Sequence, residues 1–143
     1  MNEKWGRRLF HAGAVWLVVM GLVHSLSLFE KMAPANDAEK QLLDLMSSYH
    51  FNLMGSMRSM MELMRGFSVA FMLAAFGFAA LDFAVMGERT KLLKRVALVN
   101  LAWLAIMFIN GLHYFFAAPN TFLAVGIVIF ALAWWKLPEQ SAN

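Results

Sequence analysis

The chain has 143 residues, 61% hydrophobic and 15% charged, with a formal net charge of +3 and no cysteine. A soluble domain sits near ~45–50% apolar and ~25% charged, and a chain this short has too little interior to hide the surplus. Lipid is the solvent this composition calls for. The lack of cysteine excludes disulfides, thiolate metal sites and a cysteine nucleophile. The basic residues sit beside apolar runs, which points to membrane orientation and away from nucleic acid.

The first apolar run extends from Leu9 to Phe29, behind a basic leader of Lys4, Arg7 and Arg8. It is longer than the ~7–15 apolar residues of a signal peptide, so it reads as a retained helix. A long polar loop, Glu30 to Met64, follows. Pro34-Ala35-Asn36-Asp37 reads as a turn, and Asn36 with Glu39 three residues on forms a helix start of the capping-box type. Leu42, Leu45, Met46 and Tyr49 then share one helical face, an amphipathic pattern suited to lying on the membrane surface. After His50, Met54, Met57, Met61 and Met64 recur at spacings of three and four, with Arg58, Glu62 and Arg65 on another face. This predicts one unbroken helix from Leu53 to Met86, roughly 50 Å long at ~1.5 Å per residue. The methionines read as a flexible apolar seam, with Cu(I) ligation as the alternative.

The second run, Gly66 to Met86, carries Gly66, Ala70, Ala74 and Gly77, a small-residue strip expected to pack against another helix of the same bundle. A second copy of the chain is the alternative. Asp82, close to Arg89, Lys91, Lys94 and Arg95, reads as a snorkelling ion pair, with a proton relay as the alternative. Asn100, as deep on the next helix, is placed to hydrogen-bond it. The third run is Val96 to Phe116 and the fourth Phe122 to Trp135, separated by the uncharged Ala117 to Thr121. A bilayer core of ~30 Å needs about 20 helical residues, and only helices or closed barrels satisfy the backbone there. The expected fold is all-α: a single membrane domain, residues 1–143, with spans 9–29, 65–86, 95–116 and 120–137. An amphipathic interfacial segment, 37–64, lies between the first and second spans of this four-transmembrane-helix bundle. Positive charge at the N-terminus and in the second loop places both termini in the cytoplasm.

Polar residues in membrane helices are costly and are candidates for function. His24, Glu62, Arg65, Asn110 and His113 fall at the outer ends of three helices, where antiparallel packing would set them at one height. They are the expected ligand-binding residues. Imidazoles would exchange hydrogen bonds and Arg65 would attract a head group, with Phe29, Phe67, Phe115 and Phe116 walling a lipid-like tail. Bis-histidine haem ligation by His24 and His113, and zinc held by His24, His50, His113 and Glu62, lack motif support. No cofactor is specified.

His24 near the exit of the first helix, Gly66-Phe67-Ser68 opening the second span, and a last helix after a Pro-containing hairpin are the features of a resemblance. In their order the chain is similar to small, uncharacterised bacterial four-helix membrane proteins, and more loosely to DoxX-like proteins in architecture. The resemblance implies a bacterial inner-membrane, multi-pass protein and no defined reaction. The functional expectation is an accessory protein that binds a lipid-like ligand or membrane partner near the outer leaflet, with membrane lipid and a homo-oligomer among its expected partners. The alternative is a membrane oxidoreductase or isomerase acting on a quinone or lipid through His24, Glu62, Arg65 and His113.

Overall fold

The computed structural model describes residues 2–30 and 32–138. Helix accounts for 79% of the described residues, and four helices are long and apolar enough to span a membrane. In chain order the elements are α1 (Asn2–Leu26), α2 (Asp37–Ser48), β1 (His50–Leu53), β2 (Ser56–Ser59), α3 (Met60–Val85), α4 (Thr90–Tyr114) and α5 (Ala117–Lys136). They form two compact units. One comprises Met1–Met20 and Ala75–Asn143, the other Gly21–Ala74, so α1 and α3 run through both.

The larger unit is held by close packing of small and large apolar residues, the interaction that joins helices in lipid. Its fully buried side chains include Phe10, Ala14 and Leu17 of α1, Ala75 and Ala79 of α3, Leu93, Ala97 and Leu104 of α4, and Phe130 and Ala133 of α5. Phe10 and Phe130 meet edge to face at 6.2 Å. A methyl group built on Gly13 would lie 2.6 Å from the Phe130 ring, so only glycine lets the ring seat there. Trp16 stacks on Phe122 at 5.4 Å and donates its indole N–H to the Phe122 carbonyl at 3.0 Å. Basic side chains lie over indoles at three places: Arg8 on Trp5, Lys94 on Trp134 and Lys136 on Trp135.

Helix α1 starts seven residues before the expected Leu9. Glu3 pairs with Arg7 at 3.1 Å, one turn along, and accepts from Thr90 Oγ1 at 2.7 Å. The Arg7 guanidinium donates to the Met86 and Glu88 carbonyls at 3.3 and 3.0 Å. These bonds hold a polar leader in helical form and satisfy carbonyls left free where α3 ends. Helix α5 starts at Ala117, not Asn120, because Pro119 falls in its first turn, where no amide N–H is needed. Asn120 Nδ2 donates to the Gly111 and Phe116 carbonyls at 3.1 and 3.2 Å and closes a connection of only Phe115 and Phe116.

In the Gly21–Ala74 unit, α2 begins as expected. Asn36 Oδ1 accepts the Glu39 N–H at 2.9 Å, and Glu39 Oε2 accepts the Ala35 N–H at 2.7 Å. No α2 residue is fully buried, and Leu42, Leu45 and Tyr49 are exposed.

The unbroken helix from Leu53 does not form. Residues 50–59 make a two-stranded antiparallel hairpin, with Leu53 opposite Ser56 and His50 opposite Ser59. Met54 and Gly55 both have positive φ, 50° and 92°, the backbone of a two-residue turn whose twist suits a hairpin. Asn52 Oδ1 accepts the Gly55 N–H at 2.8 Å. Helix α3 then opens on a reciprocal cap. Ser59 Oγ accepts the Glu62 N–H at 3.2 Å, and Glu62 Oε2 accepts the Ser59 N–H at 2.9 Å. The methionine seam therefore divides among turn, strand and helix. The small-residue strip also departs from expectation: Gly66 and Gly77 are exposed, and a side chain built on either would meet nothing within 4 Å.

Candidate functional site

His24, Glu62 and Arg65 belong to the Gly21–Ala74 unit, and Asn110 and His113 to the larger one. His24 lies in the last turn of α1, half-buried, with its ring against the edge of Phe71 at 4.7 Å. The Ser68 backbone also faces the imidazole. Its Nε2 is sealed from solvent and has no hydrogen-bond partner among the described residues. A buried, unpaired ring nitrogen is unusual, because leaving such a group unsatisfied costs about 1–3 kcal/mol. Ser27 Oγ, one turn away, donates to the His24 carbonyl at 2.7 Å.

Glu62 is occupied by structure. Its carboxylate caps α3 through Ser59 and stands 4.0 Å from His50 Nε2. Arg58, expected on one helical face with Glu62 and Arg65, lies instead on β2 opposite Phe51 and donates to the Met57 carbonyl. Arg65 is exposed on α3, as are Asn110 and His113 on α4. His113 stands beside the Tyr114 ring at 6.3 Å, in the last turn of α4, where a histidine suits the helix dipole. Phe29, Phe67, Phe115 and Phe116 are all exposed, Phe29 to 81%, so the expected aromatic wall is not built. Among the described residues no three His, Asp or Glu side chains gather as a metal set.

A separate polar centre is Asp82 with Asn100. Both are fully buried in the larger unit. Asn100 Nδ2 donates to both carboxylate oxygens, at 2.7 and 2.9 Å. The expected hydrogen bond is present, but the snorkelling ion pair is not. Asp82 extends the face of Ala75 and Ala79, at i+7 and i+3, and that face turns into the packed interior. Among the described residues no cation stands within ion-pair distance of it. The i, i+4, i+7 alignment of Ala75, Ala79 and Asp82 was the available signal.

Comparison with protein-family models, with curated proteins and with solved structures finds no match.

Proposed function

We propose that this chain is an integral membrane protein of four spans that binds a lipid-like molecule at the outer-leaflet end of α1, without chemistry of its own. The observation that carries the reading is the sealed, unpaired Nε2 of His24 against Phe71. In hydrocarbon no water supplies the missing hydrogen bond. A hydroxyl or carbonyl of a ligand head group would supply it, once the imidazole turns about its Cβ–Cγ bond to present Nε2. The phenyl edge would pack on the adjoining apolar chain.

The four helices and the charge pattern support the orientation. Lys4, Arg7, Arg8, Arg89, Lys91, Lys94, Arg95 and Lys136 belong on the cytoplasmic side of a bacterial inner membrane. Trp5, Trp134 and Trp135, each paired with a basic side chain, then sit at head-group depth. This puts α2 and the hairpin outside. The exposed Leu42, Leu45 and Tyr49 suit an interfacial helix whose apolar face enters the acyl boundary. Arg65, Asn110 and His113, each exposed on its own helix, would contact head groups directly.

Native mass spectrometry after gentle extraction tests the reading with wild type, His24→Gln and His24→Phe. The expected result is a bound small molecule on wild type, weakened in the Gln variant and lost in the Phe variant. An unchanged adduct on His24→Phe would count against it.

A further inference from the structure

The Asp82–Asn100 pair plays no part in ligand binding at His24, and its hydrogen-bond arithmetic does not close. An ionised carboxylate only accepts, and an amide brings two N–H donors and one acceptor oxygen. With Asp82 ionised, the donors of the pair reside on Asn100 Nδ2 alone, which faces both carboxylate oxygens, and neither group of the pair can donate to Asn100 Oδ1. That oxygen is buried and unpartnered among the described residues. Three further features disfavour a bare charge. Asp82 is 0% exposed. It lies in the last turn of α3, where the negative end of the helix dipole opposes a carboxylate. Of the charged and titratable groups of nearby turns, Arg7 bonds the Met86 and Glu88 carbonyls and Thr90, Glu3 accepts from Thr90, His11 meets the Met86 sulfur and Lys94 lies over Trp134, while Arg89, Lys91 and Arg95 are exposed.

We propose that Asp82 and Asn100 form a membrane-embedded proton-binding site, in which the Asp82 carboxyl holds a proton and donates it to Asn100 Oδ1. A turn of the Asn100 amide sets Oδ1 opposite one carboxyl oxygen and Nδ2 opposite the other. The two groups then make a two-point acid–amide pair in which the orphan oxygen is satisfied and no net charge is buried. The Nδ2 distances of 2.7 and 2.9 Å show the two groups already within reach of that arrangement. The ligand is a proton, and the site needs no cavity to hold it. Release of the proton would leave a buried charge without a partner, so proton exchange is tied to loosening of the α3–α4 contact.

The chain has three aspartates, Asp37, Asp44 and Asp82, and the first two are exposed. Full-length protein in lipid vesicles, isotope-labelled at the aspartate carboxyl carbon, is read by infrared and solid-state NMR spectroscopy. At neutral pH the expected spectrum shows one protonated acid and two carboxylates. Asp82→Asn removes the acid signal alone, and Asn100→Leu shifts it. Asp82→Asn also melts no lower than wild type, because its amide reproduces a neutral partner. Three carboxylates at neutral pH would overturn the proposal. So would a carboxylate at Asp82 whose signal moves when sodium replaces potassium, which would make the ligand a metal cation. Should Asp82→Asn not fold, the wild-type spectrum still decides, with Asp37→Asn and Asp44→Asn assigning the other two signals.

Discussion

Replacing glycine by alanine should have opposite effects at three helical positions of this chain. Alanine in a helix is favoured over glycine by roughly 0.5–1 kcal/mol, through backbone entropy. Gly66 and Gly77 have open space where the methyl would stand, so Gly66→Ala and Gly77→Ala should each stabilise by about that amount. At Gly13 the methyl would lie 2.6, 2.8 and 3.0 Å from three atoms of the Phe130 ring. That ring is fully buried and braced edge-on by Phe10, so it cannot slide aside cheaply. Overpacking of this kind costs about 1–3 kcal/mol, and three contacts on one rigid ring place it in the upper half. After the helix gain is subtracted, Gly13→Ala should destabilise by about 1–2.5 kcal/mol. Equilibrium unfolding in mixed detergent micelles, followed by circular dichroism, reads all three variants on one scale. If Gly13→Ala unfolds at the same denaturing-detergent fraction as Gly66→Ala, the packing argument is refuted.

Two further predictions concern the segment that leads into α3. Ser59→Ala removes half of the reciprocal cap and should cost about 1 kcal/mol, seen as faster amide exchange in residues 60–63 with α2 unchanged. Met54→Asn places an Asn-Gly pair in a turn that needs positive φ at both positions. It should slow amide exchange across the hairpin, corresponding to a few tenths to about 1 kcal/mol of stabilisation.

The four membrane-length helices were legible because apolar runs of about 20 residues have few other uses. The start of α2 was legible too, since Asn36 and Glu39 act through a local hydrogen-bond rule. Helix boundaries were harder. The polar leader of α1 is helical through the contacts of Glu3 and Arg7 with Thr90 and the end of α3, partners more than seventy positions away. The hairpin was misread because methionine spacing imitates a helix, while the decisive chemistry was the Met54-Gly55 turn and Ser59 three residues before Glu62. Asp82 was misassigned by its closeness in sequence to a basic loop, when its register with Ala75 and Ala79 fixed its direction. Of the expected ligand-binding residues, His24 alone combines burial with an unmet hydrogen bond. Glu62 is taken up by a cap, which a list of polar residues by depth cannot reveal.

In the proposed topology four helices cross a bilayer, with both termini inside and the α2–hairpin segment outside. The chain has no cysteine, so single cysteines report position cleanly. Met54→Cys, at the fully exposed tip of the hairpin, and Glu88→Cys, in the α3–α4 connection, are treated with a membrane-impermeant thiol reagent on intact cells stripped of their outer barrier. Met54→Cys is expected to label at once and Glu88→Cys only after the membrane is opened. Labelling of Glu88→Cys in intact cells with Met54→Cys protected, or recovery of the protein in the soluble fraction, would contradict it.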